Sequence, residues 1–241
     1  MTRNRTTQSG FSLIELMVAL FLGLIVTLGI LQVFISAKST YTTQNAAAAI
    51  QEDARFALTK MVQEIRMVGM FGCLNTVTPN NAAAATFTTA QALPITWVTS
   101  STAGNTLSLI TADVGSIGGT PTWTILSNCT SSSIVYLGAQ AAGAGQTAFP
   151  IRKVVYTLLN HQILTTVGTA TSVLIDNVVD FTVLFGVAST ATDKVITSYT
   201  ATPANPALIR TLRLTLTLFD PKANARQQQF SVVAAVRNRM N

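Results

Sequence analysis

Residues 8–38 read QSGFSLIELMVALFLGLIVTLGILQVFISAK, and they decide how the rest of the chain must be arranged. From Leu16 to Ala37 there is no charged residue, a run of 22 positions. About 20 apolar residues span a bilayer as a helix. Arg3 and Arg5 precede the run and place its N-terminus in the cytoplasm, so the chain beyond it lies outside. Glu15 interrupts the apolar pattern near its start, and a carboxylate inside such a helix costs roughly 2.5–3.5 kcal/mol on insertion scales. One reading of Glu15 is an interfacial group at the membrane edge. The other is a buried group with a cationic partner.

A cleaved secretory signal is the ordinary explanation of such an N-terminus. Two features oppose it. Ser36-Ala37-Lys38 is a poor small-x-small cleavage site, and no proline breaks the chain before Pro79. The apolar run instead passes directly into an amphipathic one. Counting 100° per residue from Ile50, the side chains of Ala54, Ala57, Leu58, Met61, Ile65 and Val68 form one stripe. Glu52, Asp53, Arg55, Lys60, Glu64 and Arg66 take the other side, with Glu52–Arg55 and Lys60–Glu64 at helical neighbour spacing. This predicts a helix laid against a domain. Gly69 and Gly72 stop it, and from Phe11 to Val68 it is roughly 85 Å long. Gly23 and Gly29 weaken the membrane half, serving either close helix packing or local melting.

After Gly72 the period changes to two. Residues 208–218, 178–187 and 230–236 alternate as strands, with Arg210 interrupting the apolar face of the first. Residues 153–158 and 162–167 flank Asn160-His161 and read as a hairpin. Shorter strands are expected at 95–99, 106–111, 122–126 and 134–137. Loops are expected at 75–92, 138–148, 189–193 and 202–206. The predicted fold class is α+β: a long N-terminal helix, half membrane-inserted and half amphipathic, packed on an antiparallel β-sheet head.

Composition limits the functions available. Charged residues are 10% of the chain, against roughly 25% in soluble domains. The net charge of +6 is uneven: between Arg66 and Arg152 only Asp113 is charged, whereas from Lys194 onward seven basic residues face Asp220 alone. Arg210, Arg213, Lys222, Arg226, Arg237 and Arg239 could hold nucleic acid, but they have little aromatic interleaving, which disfavours that partner. Residues 115–120 lack the lysine of a phosphate-binding loop. Asp176 and Asp180 lie about 13 Å apart along a strand, too far for a calcium loop. His161 is the single histidine and reads as a turn residue. No catalytic residue, metal site or cofactor is assigned. Cys73 and Cys129 most simply form one disulfide if the region is exported, closing a loop of about 57 residues worth about 4 kcal/mol; two buried thiols are the alternative.

The segment Gln8-Ser9-Gly10-Phe11-Ser12-Leu13-Ile14-Glu15-Leu16 resembles the processing site of type IV prepilins and type II pseudopilins. The resemblance implies a type IV pilin-like fold and cleavage between Gly10 and Phe11 by a prepilin peptidase. It also implies methylation of the new Phe11 amine, with Glu15 pairing with that amine on a neighbouring subunit. Further on, Arg66-Met67-Val68-Gly69-Met70-Phe71-Gly72-Cys73 is similar to the helix-ending segment of the PilW minor pilins. Residues 176–187, with Phe185 in place of a usual tyrosine, and residues 236–239 resemble strands of the same family.

The implied organisation is a leader at 1–10, a transmembrane and assembly helix at 11–37, an amphipathic half at 38–70 and a β-rich head at 71–241. The implied role is a minor pilin priming pilus assembly at the tip, not an enzyme. Its partners would be other minor pilins, a tip adhesin, the inner-membrane assembly platform and the lipid bilayer. It would sit in the inner membrane first and at the extracellular tip afterwards. A J-type minor pseudopilin of type II secretion is the nearest alternative, and a tip adhesin or DNA-capturing pilin another.

Overall fold

A computed structural model describes residues 10–113, 120–220 and 226–239. One helix dominates it, α1 (Leu13–Met67), about 82 Å long at 1.5 Å per residue. The side chains of α1 that the head buries are Ala46, Ile50, Ala54, Ala57, Leu58, Met61, Glu64 and Ile65. Spaced three or four apart, they form the expected stripe, with one exception. Glu64, assigned by the helical pattern to the polar side, is buried on the core side. Gly69 and Gly72 follow the helix with φ of +77° and +103°, a left-handed conformation that favours glycine. At Gly72 a side chain would also meet the ring of Phe149, 3.2 Å from its Cβ.

Among the described residues the head contains twelve strands and a second α-helix. In chain order these are β1 (Thr78–Pro79), α2 (Thr86–Ala92), β2 (Ile95–Val98), β3 (Asn105–Ala112), β4 (Trp123–Ser127), β5 (Ser133–Leu137), β6 (Thr147–Leu159), β7 (Gln162–Val167), β8 (Ala170–Ile175), β9 (Val178–Val187), β10 (Ser198–Thr200), β11 (Ile209–Leu218) and β12 (Gln228–Ala235). The α+β arrangement holds, but the strands form two sheets. One has eight strands centred on β6, with β3 on one edge and β4 then β7 along the other. Its pairs are antiparallel except the short β1–β5 contact. The other sheet is β10-β9-β11-β12, antiparallel throughout.

Both sheets and α1 share one core. Leu107, Leu109, Val154 and Tyr156 from the first sheet meet Phe181, Phe185, Leu212, Leu214 and Leu216 from the second, with Met61 and Ile65 between. Burying each large apolar side chain is worth about 1.5–3 kcal/mol. A smaller core lies on the opposite face of the eight-stranded sheet, where Phe87 of α2 packs edge-on against Phe71 and Trp123. This corrects the expectation of a loop over residues 75–92. The segment is Thr- and Ala-rich and carries no helical charge pattern, so its helix is visible only through the pocket that receives Phe87. Strands β8 and β10 were likewise not specified by the sequence pattern, β8 being mostly exposed and β10 only three residues long.

Candidate assembly and processing site

The start of α1 is where chemistry and exposure coincide. Residues 1–9 lie outside the described residues, including Arg3, Arg5, Gln8 and Ser9 of the motif. Gly10 is exposed and non-helical, and the Phe11 ring is 87% exposed. Ser12 occupies the N-cap in extended conformation, and its carbonyl accepts the first helical bond from Leu16 N–H at 3.1 Å. The Gly10–Phe11 bond thus lies just before regular structure, outside the helix.

Glu15 sits in the first turn of the helix, where a carboxylate is favoured by the unpaired N–H groups. Around it Ser12, Ile14, Val18, Ala19 and Leu22 line a shallow, largely apolar groove along the helix. The flanking segment is long and apolar enough to cross a membrane, with mean hydropathy 2.6 over its best window, and the head buries none of it. Gly23 and Gly29 face open space in the single chain.

In the head, Cys73 and Cys129 are joined by a disulfide, with Cα atoms 5.3 Å apart. It ties the segment leaving α1 to the turn between β4 and β5. Ser127 supports that turn, its Oγ accepting from Cys129 N–H at 3.0 Å. His161 stands in a two-residue hairpin turn between β6 and β7, with φ of +60° beside +51° at Asn160. Its ring nitrogen Nδ1 lies 3.2 Å from the Val178 carbonyl, which gives it a structural bond there. Asp176 accepts from Gln162 Nε2 at 2.6 Å. Among the described residues no three His, Cys, Asp or Glu side chains group as metal ligands would.

The basic residues do not form one surface. Arg210 is 2% exposed and donates to backbone carbonyls inside the head. Arg213 lies over the Tyr199 ring, 4.0 Å from its centre. Arg226 and Arg237 are exposed. Lys222 and the side chain of Arg239 lie outside what is described, as do residues 115–119 of the segment without a phosphate-loop lysine. Arg210 therefore drops out of any nucleic-acid surface.

The family described as Prokaryotic N-terminal methylation motif matches residues 5–31. The match begins ahead of the described residues and runs through the first turns of α1. It supports a type IV pilin-like protein, a structural class whose processing involves prepilin peptidase and the pilus assembly machinery. The apolar helix fits a membrane-anchored pilin that later enters a filament. No curated protein matches the chain.

Proposed function

We propose that this chain is a minor, tip-associated type IV pilin resembling PilW, which joins other minor pilins to prime assembly beneath a tip adhesin. Residues 1–10 form its leader, 11–37 its membrane and assembly segment, 38–70 the amphipathic half of the helix and 71–241 its head. A prepilin peptidase cuts between Gly10 and Phe11, and the Phe11 amine is methylated. The carrying observation is the methylation motif over residues 5–31 running without a break into a helix that ends inside a folded head. A discarded signal peptide has no reason to be continuous with the core of its domain. The head is far longer than the helix, which supports a minor subunit over one repeated along the whole filament.

In the filament Glu15 pairs with the Phe11 amine of a neighbouring subunit and sets the axial register. The groove beside Glu15 leaves room for a second helix, and pairing removes two buried charges together. The test is Glu15→Leu in cells making the full chain. Expected are normal membrane insertion and cleavage after Gly10, with incorporation into filaments lost. Normal incorporation would sink the role of Glu15, and an uncut chain in the parent would sink the pilin reading itself.

A further inference from the structure

The end of the head where α1 stops is organised by one buried arginine. Gly69 lies against Asn238 of the 3-10 turn Arg237–Arg239, and Val236 N–H donates to the Arg210 carbonyl at 2.9 Å. Arg210, the second residue of β11, is therefore at the end farthest from the apolar half of α1. Its Nε donates to Asp193 O at 2.9 Å, and Nη2 to Ala191 O at 2.6 Å and Thr190 O at 3.3 Å. Nη1 donates to Ala207 O at 2.9 Å and Ile209 O at 3.3 Å. All five acceptors are backbone carbonyls. A buried cation is costly unless fully satisfied, so the guanidinium and residues 190–193 hold each other in one arrangement.

That arrangement presents Val195, which at 74% exposure is the most exposed large apolar side chain of the described head. Arg66 in the last turn of α1, Lys194 and Arg237 are exposed at this same end. Among the described residues Asp193 is the exposed carboxylate beside them, and the nearby Asp113 is held by Arg152 at 2.8 Å. A fixed loop with an apolar point amid excess positive charge fits a protein surface carrying carboxylates around a small notch. Nucleic acid fits less well, because the centre of the surface is apolar and the neighbouring Tyr199 ring is half-buried and covered by Arg213 at 4.0 Å.

We propose that this membrane-distal end docks an acidic protein surface, with Val195 entering an apolar notch of the partner. Lys194, Arg66 and Arg237 meet the partner's carboxylates, and Arg210 is a positioning residue for the loop. The proposal rests on the pilin reading above, which sets this end outward.

The experiment places a photo-crosslinking benzoylphenylalanine at position 195 of the full chain in its own cells. The control is position 98, exposed at the opposite end of the edge strand β2. Expected is a crosslink from position 195 into an Asp- and Glu-rich peptide of another protein, at least about tenfold above the control. Lys194→Glu with Arg237→Glu should lower that yield about tenfold, and Arg210→Met should lower it too, while cleavage after Gly10 continues. Equal yields at 195 and 98, a joined peptide without carboxylates, or a yield unmoved by charge reversal would overturn the proposal. So would salt-sensitive binding of duplex DNA by the detergent-solubilised chain that the charge reversal abolishes. Failure of cleavage in the unaltered chain would instead remove the pilin reading.

Discussion

The Glu64 carboxylate lies 2.7 Å from the Lys60 ammonium, one turn earlier on α1, and it is 1% exposed while facing the sheet. Its second oxygen accepts from Thr111 Oγ1 at 3.4 Å, and the buried Tyr156 hydroxyl is close enough to feel its charge. Burial, and secondarily Glu64, push the Tyr156 phenol well above its usual range, so it stays neutral. The Glu64–Lys60 ion pair thus penetrates the core of the head and is reached from solvent through the lysine.

Removing only the lysine should therefore be worse than removing both charges. Lys60→Met leaves a carboxylate buried without its cation. The expected loss is about 2–3 kcal/mol, below the range for a fully buried pair because Lys60 is partly solvated. Lys60→Met with Glu64→Leu should recover most of that loss, since the second change removes the stranded charge. Denaturant unfolding of the detergent-solubilised chain reads both. A double variant no more stable than the single one would show that the charge is not what the lysine compensates.

The disulfide carries a separate expectation. Cys73 and Cys129 are 56 residues apart in sequence, and closing such a loop restricts the unfolded chain by about 4 kcal/mol. Cys73→Ser with Cys129→Ser should lower Tm by about 8–15 °C for a head of this size. The first amides to exchange faster should be those of residues 73–92, because their remaining anchors are the small core around Phe87 and the β1–β5 contact. A Tm within 2–3 °C of the parent, by the scale of about 2–4 °C per kcal/mol, would mean the bridge is incidental to stability.

Local periodicity made the long elements legible. The core face of α1 follows from residues three and four apart, and the alternation assigns the inward side chains of β11 from Leu212 to Leu218 and of β9 from Phe181 to Phe185 correctly; at the start of β9 it fails, because a register shift opposite Thr217 and Leu218 buries Val178 and exposes Val179. What periodicity cannot supply is the identity of partners. The two sheets share one alternation pattern, so their division is decided by pairings such as Leu212↔Phe185 and Leu107↔Tyr156, distant in sequence. Glu64 was misplaced because its charge, not its angular position, assigned it to the solvent side. Arg210 stood out as an interruption, but its reason lies in carbonyls of residues 190–193, which no side-chain pattern encodes. At the N-terminal motif the order is reversed: the run from Gly10 to Glu15 is read from residue types alone, and the structure adds exposure and helix start.

Charge at the other end of the head gives a pH-dependent expectation. Asp53 on α1 has Glu52 beside it and Asp176, just past β8, across from it. Its carboxyl is held above the usual aspartate value of 3.8, first by partial burial, then by Glu52 and then by Asp176. The folded chain therefore binds a proton at Asp53 more readily than the unfolded chain does. Stability from this group rises as pH falls from its raised value towards 3.8, and the ionised form is destabilising at neutral pH. Asp53→Asn removes the ionisation and keeps the shape. Because Asp53 is largely exposed, the expected gain at pH 7 is small, about 1–2 °C in Tm. The gain should shrink as pH is lowered and vanish once the parent aspartate is protonated. Paired melting curves of parent and variant across pH read the difference directly, with effects common to both chains cancelling. A difference that stays constant with pH, or that grows on acidification, would show that Glu52 and Asp176 do not act on Asp53 in this way.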